Sequence, residues 1–200
     1  MYNIITIERE YGSGGNEIGK RLAKELGYTF YDNNILVEAA KRLGIPPIYL
    51  SDLEETSTGS IIFNLSKVLS KRNASGNDQP LATKLFLTEK VIIEEIVQKE
   101  KCVIVGRCAS DVLKNNPDCL SVFIHASHDY RRKRAVEREK IKPGEVDEII
   151  KKVDRRRRDF YSTHTGQEWG NKKYFEICLN SEKIGIEYCI KLLKAVVTAE

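Results

Sequence analysis

Asn3-Ile4-Ile5-Thr6-Ile7, continued by Glu8-Arg9-Glu10-Tyr11-Gly12-Ser13-Gly14-Gly15-Asn16-Glu17-Ile18-Gly19, reads as a strand, a glycine-rich turn and the opening of a helix. The β-branched run stops at the turn, as a short buried strand does. Beyond the turn Ile18, Leu22, Ala23 and Leu26 recur at helical spacing, and Gly27 stands where a C-terminal cap belongs. Glycines let successive backbone N–H groups converge on an anion, and a helix N-terminus adds a favourable dipole. The stretch therefore predicts a phosphate site. A tight strand-to-helix connection without a ligand is the plainer alternative.

Two registers fit this site. Gly14, four residues, then Gly19-Lys20 match the first part of GxxxxGK[ST], but Arg21 follows where Ser or Thr would hold magnesium. Ile18 also shares the apolar face of Leu22 and Leu26, which puts Gly19 and Lys20 inside the helix. The other register places the cradle at Gly12, Ser13, Gly14, Gly15 and Asn16, with Gly15 at the motif's lysine position and Glu17 at the helix start. A lysine there neutralises charge on a transferred phosphoryl group, so another cation must do so. Arg9 and the Arg155-Arg156-Arg157-Arg158 run are the candidates. Neighbours on a helix lie about 100° apart, so at most two of the four face one ligand, and Arg155 with Arg158 is the expected pair.

Outward from this site, apolar runs alternate with helical stretches. Thr29-Phe30-Tyr31 reads as a second strand, Cys102-Val103-Ile104-Val105 as a third, Leu120-Ser121-Val122-Phe123-Ile124 as a fourth and Phe175-Glu176-Ile177-Cys178-Leu179 as a fifth. Helices are expected over about 35–43, 83–99, 127–139, 145–160 and 186–198. The unbroken apolar strands fit burial on both faces, and the alternation fits a doubly wound parallel α/β sheet of about five strands. Residues 51–80 are the least orderly, and a mobile insertion with a short helix is expected there.

The chain of 200 residues suits one domain, and 41% hydrophobic with 31% charged residues is ordinary for a globular protein. No apolar run reaches the roughly 18 residues of a spanning helix, and Met1 to Glu10 read as a short strand followed by charges, so no secretory signal and a cytoplasmic protein are expected. Cys102, Cys108, Cys119, Cys178 and Cys189 include no CxxC pair, and they read as small buried hydrophobes rather than metal ligands. The net charge is +4, yet residues 131–158 carry thirteen Lys/Arg against six Asp/Glu. That excess points to a phosphate-bearing ligand or a nucleic acid. Arg131, Arg132, Lys133, Arg134 and Arg138 read as a solvated helix face.

The stretch 8–19 resembles the glycine-rich loop of the cytidylate-kinase-like family, in the P-loop nucleoside monophosphate kinase superfamily. Tyr31-Asp32-Asn33-Asn34-Ile35 is similar to the segment after that family's second strand, and Val105-Gly106-Arg107 to its Gly-Arg turn after the third. Asp154-Arg155-Arg156-Arg157-Arg158-Asp159-Phe160-Tyr161 with Thr165-Gly166 resembles its arginine-bearing lid, and Leu179-Asn180-Ser181 its closing strand. The resemblance implies a P-loop NTPase-type fold with a helical lid at about 140–170 and an acceptor-side insertion at about 45–82. It implies γ-phosphoryl transfer from ATP, with Mg2+ carried on the ligand phosphates, to a nucleoside monophosphate, CMP or dCMP first. The family's acceptor-binding insertion is not recognisable within residues 51–80.

The candidate site residues are thus Arg9, Arg155 and Arg158 for catalysis, residues 12–17 for the phosphates, and Asp32, Arg107 and Asp154 for the acceptor. Asp32 fits a helix N-cap equally well, and Arg107 a structural ion pair. Trp169 reads as packing over the lid, and His164 has no visible partner. Three alternatives stay open: a nucleotide- or anion-binding module without turnover, a kinase of another small molecule, and a nucleic-acid binder. The basic stretch lacks interleaved aromatics before Phe160, which counts against the last. The oligomeric state is left open.

Overall fold

The computed structural model describes residues 2–46 and 80–199. The expected insertion falls almost wholly outside them. Five strands form one parallel sheet in the order β2-β3-β1-β4-β5: β1 Ile4–Arg9, β2 Thr29–Tyr31, β3 Cys102–Val105, β4 Cys119–His125 and β5 Ile177–Asn180. The helices between them are α1 Gly15–Leu26, α2 Asn34–Arg42, α3 Leu81–Lys99, α4 Ala109–Val112, α5 His128–Glu139, α6 Val146–Thr165, α7 Ser181–Ile184 and α8 Ile186–Thr198.

Side-chain alternation along the strands divides the core between the two faces. Ile4, Cys102 and Ile104 pack under α2 and α3 with Leu36, Ala39, Leu85 and Ile92. Ile5, Ile7, Val103, Val105, Val122 and Ile124 pack under α1 and α8 with Ile18, Leu22, Ile190 and Leu193. Gly19 is small for a packing reason, since a Cβ there would lie 2.8 Å from Val105 Cγ2. It lies inside α1 with Lys20, as the apolar face of Ile18, Leu22 and Leu26 required.

The long α6 lies over a third cluster of Cys108, Phe123, Tyr161, Trp169 and Phe175. Trp169 is buried there, edge-on to Phe123 with centroids 5.5 Å apart, so it packs beneath α6 rather than over it. Ala135, Val146 and Ile150 join α5 to α6. Two cysteine expectations change. Cys178 is exposed and Cys119 half-buried, because a short strand at the sheet edge and a strand's first residue have less cover than the centre. Among the described residues no helix is long and apolar enough to cross a membrane.

β1 and β3 are neighbours whose onward connections cross the sheet in opposite directions. A crevice opens at the carboxyl ends of such strands.

Candidate active site at the carboxyl edge of the sheet

The turn after β1 is fastened from several sides. The Ser13 hydroxyl and N–H both donate to the Glu10 carbonyl, at 2.8 and 3.2 Å, and the Ser181 hydroxyl donates to the Ser13 carbonyl at 2.6 Å. The Tyr11 N–H donates to Asp154 Oδ1 at 2.7 Å. Gly14 takes a left-handed φ of 85°, and a Cβ on it would lie 2.5 Å from Ile186 Cδ1, so only glycine suits the position. Among the described residues the N–H groups of Gly14, Gly15, Asn16 and Glu17 have no acceptor. These four border a cleft of about 1190 Å3, larger than one small ligand requires.

Arg9 ends β1, and its stem lies where any side chain on Gly15 would begin. Its guanidinium reaches Gly106 at the end of β3, again in space that only glycine leaves free. Arg157 Nη1 donates to the Arg9 carbonyl at 3.0 Å, and its guanidinium lies 5.9 Å from the Tyr11 ring centre. Arg107 donates to Asn33 Oδ1 at 2.9 Å and lies 3.3 Å from Glu89. Three guanidiniums therefore meet near two buried carboxylates, Glu8 and Glu89. Burial first, then the like charges of Arg157 and Arg107, push the Arg9 guanidinium down to about 9, still protonated at neutral pH. Burial also lowers Arg157, and lifts Glu8 above the usual carboxylate range. An anion entering here would gain charge-assisted hydrogen bonds in a poorly solvated place.

The residues expected from the sequence divide in their placement. Arg9, Gly12, Gly14, Gly15, Asn16, Glu17, Asp32 and Arg107 border the cleft. Ser13 does not; it is fully buried, and its hydroxyl and N–H are engaged within the turn. Glu17 accepts from Arg134 at 2.7 Å, so it sits as a paired carboxylate on the first turn of α1. Asp32 accepts from Asn16 Nδ2 at 3.1 Å and from the Asn33 N–H. Asp154 is only 7% exposed and lies away from the cleft, where it binds Arg131 and the Tyr11 N–H. It anchors the turn rather than facing a ligand.

Arg155 and Arg158 are also placed elsewhere. The Arg155 side chain is 75% exposed and pairs with Asp159, and Arg158 is exposed. Their neighbours Arg156 and Arg157 border the cleft with Val153, Phe160 and His164. The phase of α6 is set by its buried residues Ile150, Asp154 and Tyr161, which turn positions 155 and 158 outward.

Several residues of the site were not expected. Arg134 and Arg138 border the cleft, and Arg131 is buried against Asp154 and Glu10. These three follow i, i+3, i+7 spacing around the buried Ala135, a stripe legible in the sequence. His164 has partners after all. It stacks on Phe86 at 3.9 Å and meets Phe160 at 4.6 Å, forming an aromatic wall where α3 and α6 face each other.

A free-amide cradle beside converging cations at the edge of a 2-3-1-4-5 parallel sheet invites comparison with known kinases. The model of the cytidylate kinase-like family matches residues 4–183. The chain belongs to the cytidylate kinase-like family. A crystal structure of an uncharacterized protein from Eubacterium ventriosum is 24% identical to this family member, covering 98% of this chain and 99% of that one with a TM-score of 0.73. Shikimate kinase from Bacteroides thetaiotaomicron is 15% identical over 97% of both chains, with a TM-score of 0.53. Shikimate kinase from Acinetobacter baumannii, solved with shikimate, is 13% identical over 98% of this chain and 93% of that one, with a TM-score of 0.52. Likeness at these identities shows the P-loop kinase fold. No curated protein matches the chain.

Proposed function

We propose that this cytidylate kinase-like protein transfers the γ-phosphoryl group of ATP to a nucleoside monophosphate, CMP or dCMP first. One observation carries the reading: the unengaged N–H groups of Gly14, Gly15, Asn16 and Glu17 border the same cleft as the guanidiniums of Arg9, Arg107 and Arg157. In such reactions catalysis is largely positioning and charge neutralisation.

The amides of the cradle hold the nucleotide's phosphate oxygens. Arg9 and Arg157 neutralise charge gathering on the transferred group, in place of a lysine at position 15. Arg107 and Asp32 meet the acceptor at the far side of β3. An acceptor phosphate oxygen attacks the γ-phosphorus, the bond to the bridging oxygen breaks, and ADP leaves with that electron pair. Asn16 and Asp32 bring amide and carboxylate oxygens beside the cradle, hard donors that suit the water shell of a magnesium ion. Magnesium carried on the phosphates would offset their charge. The helix α6 and its flanks, residues 140–170, act as the closing element.

The test is a coupled assay of ADP release from Mg-ATP across the nucleoside monophosphates, with shikimate included. CDP and ADP in equal amounts from CMP are the expected products. No release with any nucleoside monophosphate contradicts the acceptor assignment. Gly15, at the position of the motif's lysine, favours one second reading, a nucleotide-binding module without turnover. Calorimetric ATP binding with neither hydrolysis nor transfer selects it.

A further inference from the structure

Glu8 has no part in the transfer described above. It is the penultimate residue of β1, and alternation along the strand turns it away from Ile5 and Ile7, which pack under α1 and α8. Its register partner on β4 is Phe123. Glu8 therefore belongs to the layer of Cys108, Tyr161 and Trp169 beneath α6, at the point where that layer opens on the cleft. It is only 5% exposed.

Cations surround this carboxylate without closing on it. Arg9 from β1, Arg157 from α6 and Arg107 from the turn after β3 all act on it electrostatically. Among the described residues none of the three forms an ion pair with it. Two donors beside it are also left over, since Arg9 Nε and the Trp169 indole N–H are buried without a hydrogen-bond partner. Buried polar groups left unpaired are costly, and in a native structure they call for an explanation. Burial raises the Glu8 pKa, while Arg9, Arg157, Trp169 and Arg107 hold it back. Its other titratable neighbours stay protonated at neutral pH: burial pushes the Cys108 thiol far up and the Tyr161 hydroxyl up to about 12.

Phosphate oxygens settling over the amides of residues 14–17 would bring a second negative charge to these guanidiniums. In a poorly solvated place, an anion close to Glu8 strongly disfavours its ionised form. A proton on Glu8 removes that repulsion and leaves the guanidiniums to the phosphates. Before binding, the same carboxylate offsets the mutual repulsion of three clustered cations and keeps them within the site.

We propose that Glu8 is a positioning residue with the role of a stand-in anion: its carboxylate gathers Arg9, Arg107 and Arg157 in the free protein, and it takes one proton from solvent when nucleotide phosphates bind there. The proton adds to a carboxylate oxygen, and no other bond is made or broken. The inference rests on the phosphate-site reading and deepens it, naming the group whose charge the nucleotide replaces. A complex that holds more protons than its free components forms more readily at low pH. Mg-ATP affinity is thus expected to fall as pH rises through the neutral range, by at most about tenfold per pH unit. Arg9, at about 9, stays protonated over that range and adds no proton of its own.

Calorimetry of Mg-ATP binding at neutral pH, in buffers of different ionisation enthalpy, counts the protons taken up. Wild type is expected to take up roughly half to one proton per nucleotide. Glu8→Gln is expected to bind Mg-ATP with uptake near zero and an affinity that no longer changes with pH. Uptake that persists in Glu8→Gln overturns the inference and places the proton elsewhere, His164 being another titratable group on the cleft wall. Should Glu8→Gln fail to fold, Trp169, the chain's one tryptophan, reports the ionisation of Glu8 in wild type by its fluorescence. The midpoint of that pH titration is expected to rise by about one unit or more with Mg-ATP, and coincident midpoints are the overturning result. If Mg-ATP does not bind, the phosphate-site reading fails and this inference with it. Saturable binding to wild type with no proton taken up sinks the inference alone.

Discussion

Arg157→Ala is expected to lower kcat by about a hundredfold to a thousandfold, the usual cost of removing a preorganised charge-stabilising donor. Arg155→Ala and Arg158→Ala are expected to stay within about twofold of wild type, as exposed side chains away from the reacting groups. The contrast follows from the phase of α6. Val153, Arg157, Phe160 and His164 share the inward stripe, at spacings of four, three and four. Arg157 also props the site, since its Nη1 holds the Arg9 carbonyl and its guanidinium lies over Tyr11. Among the described residues Arg155 pairs only with Asp159, 3.9 Å away, and both side chains are exposed. Steady-state kinetics on the three variants, each checked for wild-type circular dichroism, measures the difference. Equal losses in all three would show that α6 presents another face in the working complex.

Asp154→Ala is expected to destabilise the fold by about 3 kcal/mol, toward the lower end for a broken buried ion pair. Alanine leaves the buried Arg131 guanidinium without its nearest carboxylate and the Tyr11 N–H without its acceptor. Glu10, 3.4 Å from Arg131 Nε, offsets part of that loss. For a domain of this size the change corresponds to a fall in Tm of roughly 6–12 °C. Thermal and urea unfolding read it directly. The same variant loosens the phosphate turn, so ATP affinity should fall even under conditions where the protein stays folded. A Tm within about 2 °C of wild type would contradict the anchoring role.

Why Asp154 and Arg155 misled at the level of sequence is instructive. The strand, the turn and α1 were legible because each depends on neighbours in the chain: β-branched residues, glycines, and a 3.6-residue stripe from Ile18 to Leu26. The continuous apolar strands likewise announced a sheet covered on both faces. The phase of α6 depends instead on Asp154 meeting Arg131, 23 residues earlier, and a run of four arginines carries no phase of its own. Ile150 and Tyr161 on either side of the run would have supplied one. The direction of Arg9 was less accessible still. It follows from two glycines, Gly15 and Gly106, that come together only when β1 and β3 pair. Glu89 gave no signal at all, because a lone carboxylate on a helix reads as a solvated residue until its burial is known.

The idea beneath these expectations is that the start of α1 receives phosphate oxygens. It is tested most directly by backbone amide NMR shifts of Gly14, Gly15, Asn16 and Glu17 during titration with Mg-ATP. These four resonances are expected to move together and saturably, ahead of amides elsewhere on the sheet edge, and to respond far more weakly in Arg9→Ala. Saturable ATP binding that leaves all four unmoved would place the nucleotide elsewhere and contradict the account.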